Sequence, residues 1–161
     1  MNRNQWLLLA VVGAALVYWW QKRQPGAAPV PVLGPDPIEE STRPADVSAG
    51  MQALAQAIAL AEGFGVPGAM PTRYHNPGDL TQNGSIAQFP DDMAGWNALY
   101  KQLGFIVSER SRVYELDDTL SAMGRKWTAT EQDAWTANVV NGLQQKGYNV
   151  TESTTLREIL A

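Results

Sequence analysis

Met51, Leu54, Ala55, Ile58 and Ala61 fall three and four residues apart, the spacing that lines one face of an α-helix, and Glu62 follows them on the same stripe. Gly63, Gly65 and Pro67 stop the pattern, so a first helix of about 14 residues begins near Ser48 and ends at Glu62. The segment RYHNPGDLTQNGSIAQF, residues 73–89, carries two turn signals: Asn76-Pro77-Gly78, and Asn83-Gly84 between short runs able to pair as a hairpin. Next, Asp91 or Asp92 can cap a helix whose apolar stripe is Trp96, Leu99, Tyr100, Leu103 and Ile106. A short helix is expected from Asp117 or Asp118, with Leu120, Met123 and Trp127 inward. Thr130 and Asp133 resemble a capping box opening a helix that carries Trp135, Val139, Leu143 and Lys146 and closes at Gly147. A last short helix covers Leu156 to Leu160. Residues 48–161 thus predict one domain of the α+β class, mostly helical, with a single small β-hairpin.

The N-terminal part has no such periodicity. Residues 4–21 are uncharged and contain the apolar run WLLLAVVGAALVYWW at 6–20; as a helix the uncharged stretch would rise about 27 Å, close to the hydrocarbon thickness of a bilayer. Trp6 at one end and Tyr18, Trp19 and Trp20 at the other suit the two interfaces, and Lys22 and Arg23 can reach headgroups. A cleaved signal peptide needs small residues where these aromatic and basic residues stand, and nothing in the run is amphipathic enough for a core helix. Residues 1–23 therefore predict an uncleaved single-pass anchor. Its orientation is weakly set, because Arg3 and the amino terminus oppose Lys22 and Arg23. Residues 24–47 hold Pro25, Pro29, Pro31, Pro35, Pro37 and Pro44 and few large apolar groups, which predicts a stiff linker holding the domain away from the membrane.

Composition narrows the chemistry. The formal charge of -4 offers no basic surface for phosphates, which argues against a nucleic-acid partner. With no Cys there is no thiolate nucleophile, disulfide or zinc-thiolate site, and one His makes a His-based metal centre a poor expectation. The glycines of GFGVPG, residues 63–68, lack the strand and helix that a dinucleotide site requires, so neither cofactor nor metal is expected.

Glu62 is the most informative candidate. An apolar stripe raises a carboxyl pKa by desolvation, and the negative end of a helix dipole acts in the same sense. A general acid for glycosidic cleavage needs a carboxyl that keeps its proton until it meets the leaving oxygen. The competing reading is a solvated helix-end glutamate. Asp79 is the second carboxyl to weigh, with Asp91 and Asp92 behind it; a turn residue bonding its own backbone is the better explanation of Asp79, and helix capping that of the other two. His75 either hydrogen-bonds a sugar or lies exposed in its loop. Tyr74, Trp127, Trp135 and Tyr148 offer stacking faces for sugar rings or core packing, whereas Trp96 lies on the helical stripe and is assigned to packing.

Taken in order, AIALAEGF at 57–64, RYHNPGDL at 73–80, FPDDMAGWNAL at 89–99 and KWTATEQDAW at 126–135 resemble the lysozyme-like lytic transglycosylase domain of bacteriophage virion-associated peptidoglycan-degrading proteins. The resemblance covers roughly residues 50–150 and rests on the order and spacing of several short motifs. It implies a lysozyme-like fold with Glu62 as catalytic residue, Asn76, Pro77 and Gly78 as the turn facing the cleft, and Phe89 and Gly95 packing the hairpin onto the next helix. Asp79 stands where Asn is commoner in that family, and the family's later cleft motifs are reduced here to TATEQD. The implied activity is cleavage of the β-1,4 bond between N-acetylmuramic acid and N-acetylglucosamine, with a muramidase-type hydrolase as second choice. Together the resemblance and the residue types make Asn76, Tyr74, His75, Asp79, Phe89, Trp127 and Trp135 the candidate substrate contacts. The expected partners are peptidoglycan strands, a lipid bilayer through residues 6–20 and other virion proteins. The expected setting is a phage membrane, where the enzyme aids genome entry, or a bacterial inner membrane. The alternative is a non-catalytic anchored module that binds glycan or serves the particle structurally.

Overall fold

Ser48 opens the first helix, α1 (Ala49–Ala61), by accepting the Met51 N–H on its hydroxyl at 3.1 Å. The structure, a computed structural model, describes residues 47–160. The expected membrane anchor and all but the last residue of the expected linker lie outside the described residues. Among those described, no helix is long and apolar enough to cross a membrane.

The rest of the chain is built as α2 (Met70–Arg73), β1 (Thr81–Gln82), β2 (Ser85–Ile86), α3 (Asp92–Val107), α4 (Leu120–Trp127), α5 (Gln132–Gln145) and α6 (Leu156–Leu160). This is an α+β arrangement, mostly helical, with one antiparallel two-stranded hairpin whose register pairs Thr81 with Ile86 and Gln82 with Ser85. Asn83 and Gly84 sit between them at φ +53° and +78°, the paired left-handed conformation that twists a two-residue turn to match its strands.

The core is the sum of the apolar stripes. Leu54 and Ile58 of α1, Trp96, Leu99, Leu103 and Ile106 of α3, Leu120 and Met123 of α4, and Val139 and Leu143 of α5 are fully buried. Helix α1 lies at the centre, packed most extensively on α5 and also against α3 and α6. Gly142 permits the close crossing with α5, since a Cβ there would lie 3.1 Å from that of Ala57. Trp96 is a core residue as its stripe predicts, edge-on to Phe64 at 5.6 Å between ring centroids and stacked on Tyr100 at 6.1 Å. An isolated bridge between Thr119 and Thr155, with Leu120 N–H on Thr154 O at 2.9 Å, ties the C-terminal α6 to the start of α4.

Two helices start and cap differently from expectation. Asp91 does cap α3, accepting the Ala94 N–H at 2.8 Å. For α4, however, the cap is Thr119, whose hydroxyl accepts from Ala122 N–H, because Asp117 is engaged by Arg157 and Asp118 by Lys126. For α5 the residue at the N-cap is Glu131, in the left-handed region at φ +52° with no side-chain cap; the Thr130 hydroxyl makes no cap and its carbonyl accepts from Thr128.

Gly95 settles the approach of α3 to the Asn-Pro-Gly turn. A Cβ at this position would stand 1.8 Å from the His75 carbonyl oxygen and 2.8 Å from the Pro77 ring. Gly95→Ala is therefore expected to destabilise the domain by about 1–3 kcal/mol through overpacking. Urea unfolding checks this: the midpoint should fall with little change in slope.

Candidate active site

Glu62 is the C-cap of α1: its backbone N–H still closes the helix on Ile58 O at 2.9 Å, and Gly63 then leaves at φ +79°. The side chain is thereby held at a rigid helix end, where the unsatisfied carbonyls concentrate. From α5, Trp135 donates its indole N–H to Glu62 Oε1 at 2.7 Å, joining residues 73 positions apart. Trp135 itself is 5% exposed, so this contact is made largely away from bulk water.

Opposing influences act on the Glu62 carboxyl. Desolvation by burial pushes its pKa up, and the Trp135 hydrogen bond draws it down. The negative charge of Asp79 raises it further, while hydrogen bonding from Trp127 lowers it to a smaller degree. Burial prevails, and the net shift is upward from the ordinary glutamate value. The group is thus biased toward its protonated form while keeping the Trp135 indole donor at 2.7 Å ready for its ionised form.

Asp79 follows the buried Asn76-Pro77-Gly78 turn at φ +46°, in a conformation that Asp and Asn tolerate better than most residues. Its backbone N–H donates to Asn76 O at 3.1 Å, but its Oδ1 is buried with no hydrogen-bond partner. The side chain therefore does not use that oxygen to satisfy its own turn, and burial raises its pKa as well. A buried acceptor left unpaired costs about 1–3 kcal/mol, so it calls for a reason beyond local folding.

Beside Asp79 opens a cavity of about 280 Å³, bordered also by Gln102, Val113, Tyr114, Lys126 and Trp127. Asp79 and Trp127 are part of its wall and both influence the Glu62 carboxyl, which lies behind them and does not itself border the cavity. Its aromatic side is continuous: the Tyr114 and Trp127 rings lie 5.6 Å apart, and Trp127 stacks on Trp135 at 5.9 Å with 25° between planes. Burial and the nearby Asp118 push the Tyr114 phenol up to about 12, so it stays a neutral donor.

The structure divides the residues singled out from sequence into two groups. Glu62, Asp79, Trp127 and Trp135 come together. Asn76 is fully buried, and its side chain is used up internally: Nδ2 donates to Leu80 O and Ala87 O, and Oδ1 accepts from Leu80 N–H, each at 2.9 Å. It shapes the turn rather than facing open space. His75, at φ +52°, clamps its turn to α3 through Nδ1 and Asp92 Oδ1 at 2.6 Å. Tyr74 is half-buried, its carbonyl accepting from Phe89 N–H at 2.9 Å, and Phe89 is half-buried in turn. None of these four borders the cavity at Asp79.

Tyr114, Gln102 and Lys126 are wall residues that sequence patterns did not single out. Tyr114 lies in the irregular segment after α3, where no periodicity marks a direction, and Lys126 reads as an ordinary basic residue in the last turn of α4. Among the described residues, no group of three or more His, Asp or Glu side chains is placed to hold a metal ion. Comparison with protein-family models, curated proteins and solved structures finds no match for this chain.

Proposed function

We propose that this protein is a peptidoglycan lytic transglycosylase with Glu62 as its single acid and base, acting from a lysozyme-like domain that residues 6–20 anchor to a virion or bacterial inner membrane. The observation that carries the proposal is Glu62 itself: a carboxyl at a helix end, pushed toward protonation by burial and by Asp79, yet held at 2.7 Å by the Trp135 indole.

A lone carboxyl performs this reaction by working in both states. Protonated, Glu62 gives its proton to the oxygen of the β-1,4 bond as the bond to the muramyl anomeric carbon breaks. Ionised, it takes a proton from a muramyl hydroxyl, whose oxygen then closes on that carbon to leave an anhydro sugar. Desolvation favours the first state and the indole donors favour the second, so neither is inaccessible. Asp79, whose charge acts on Glu62, is the carboxylate that the hydrolytic alternative would enlist to serve water or the sugar ring. The aromatic wall of Trp127 and Tyr114 suits the apolar face of a hexosamine.

Two substitutions are expected to move the pH dependence in opposite directions. Activity that needs protonated Glu62 is lost as pH rises through its pKa. Trp135→Phe removes a contact that lowers this pKa, so the alkaline limb of the rate profile should move to higher pH. Asp79→Asn removes a charge that raises it, so the limb should move to lower pH. Initial rates over a pH series measure both; equal or reversed shifts would contradict these opposing influences on the acid.

The direct test is clearing of a peptidoglycan suspension by residues 48–161, which contain the whole described core. The turbidity should fall and soluble fragments should appear. A domain that sediments with the polymer and leaves it uncut is a glycan-binding module instead.

A further inference from the structure

Among the described residues, Lys126 is the one cation bordering the cavity at Asp79. Its ammonium lies on both oxygens of Asp118, at 2.8 Å and 2.6 Å, and Asp118 is fixed in turn by accepting the Glu115 N–H at 2.9 Å. The two partners are not equally placed. The Lys126 side chain is 34% exposed and borders the cavity, whereas Asp118 is 12% exposed and does not. A ligand in the cavity therefore meets the ammonium first, with its counter-ion behind it. An ammonium has three donors, and two face Asp118, leaving one to offer.

We infer that Lys126 reads a carboxylate on the bound sugar, making the cavity a subsite for an acid-bearing hexosamine rather than for a neutral one. This rests on the proposed glycan-cleaving function and assigns the substrate class at the Asp79 side of the site. The nearer cation outweighs the more distant Asp118, because Coulomb energy falls with separation and Asp118 is shielded by the ammonium itself. A hydrogen bond from ammonium to carboxylate is also about twice as strong as one between neutral groups. Asp79 repels an anion, so it places the sugar's carboxylate at the Lys126 end, with the Trp127 and Tyr114 faces along the ring. On a muramyl residue the lactyl group is this carboxylate wherever no stem peptide is attached; a stem peptide turns it into an amide, so the subsite favours peptide-free strands.

The test uses the full-length chain in detergent micelles with Glu62→Gln, so that binding is measured without turnover. The probes are glycan strands freed of stem peptide, which carry lactyl carboxylates, and the same strands with those carboxylates converted to methylamides. We expect the carboxylate form to bind about tenfold more tightly, and Lys126→Met to bring the two forms level. Lys126→Arg should keep the preference, since the charge and donors remain. Because Lys126→Met strands the Asp118 carboxylate, the double variant Lys126→Met with Asp118→Asn keeps an acceptor for Glu115 and should also show no preference. Equal binding of the two forms by the Lys126 protein, or a preference that survives both Met variants, overturns the assignment. Cleavage by the Glu62 protein, followed separately, decides the enzymatic proposal: a chain that discriminates the two glycans yet cuts neither retains the carboxylate subsite and loses the transglycosylase.

Discussion

Glu62→Gln is expected to slow glycan cleavage by about 10²–10⁴-fold, the usual contribution of a positioned general acid and base. The substitution is nearly isosteric and keeps a carbonyl oxygen able to accept the Trp135 indole N–H, so the fold and the glycan affinity should survive it. It should even stabilise the domain at high pH. A carboxyl whose pKa is raised by folding adds stability that is complete below its unfolded value of 4.5 and is lost as pH rises through the folded value. The glutamine has no such loss. Thermal unfolding of both proteins across a pH series should therefore show the variant gaining on the parent as pH increases, while its activity stays near background throughout. A large loss of both activity and thermal stability would mean that Glu62 is a structural residue.

Asn76→Ala should have the largest effect on stability. Its amide satisfies Leu80 O, Ala87 O and Leu80 N–H around a fully buried side chain, and alanine replaces none of these bonds. Leu80 N–H and Ala87 O lose their partner, at about 1–3 kcal/mol for each buried group, whereas Leu80 O keeps the Ala87 N–H; with the lost packing of the amide the total is expected to be about 3–4 kcal/mol. For a domain of this size that lowers Tm by roughly 10–20 °C, which calorimetry reads directly. The hairpin and the Asp79 turn should loosen together, since Ala87 N–H also bonds Leu80 O at 2.8 Å across their base. A residue that only touched substrate would behave differently: Tm would hold and KM alone would rise.

Elements governed by local chemistry were legible in the sequence. The stripe from Met51 to Ala61 gives α1 within a residue of its observed end, Asn83-Gly84 gives the hairpin turn, and Asp91 caps α3. The same local rules mislead where a competing partner lies elsewhere in the chain. Asp117 and Asp118 have the chemistry of caps, but Arg157 and Lys126 hold them, and Thr119 caps α4. Thr130 has a capping-box spacing to Asp133, yet the left-handed Glu131 intervenes.

The site was legible only in part, for the same reason. Partial burial of Glu62 follows from its place on the stripe, but nothing near it in sequence announces Trp135, which arrives from a helix 73 residues on. Trp127 and Trp135 were equally suited to core and to cleft, and the fold uses them for both: Trp135 is buried with its N–H on the acid, and Trp127 is half-buried against the cavity. Asn76 carried a signal for importance without showing which kind. Its amide and its turn position fit a sugar contact as well as the backbone bonds that it makes.

Mass spectrometry of peptidoglycan incubated with the chain tests the proposed role of Glu62, delivery of its proton to a glycosidic oxygen. The expected products are anhydro-muramyl fragments, one water lighter than the hydrolysed form, from the Glu62 protein and essentially none from Glu62→Gln. Intact strands with the Glu62 protein, or the same products from both proteins, would contradict that role for Glu62.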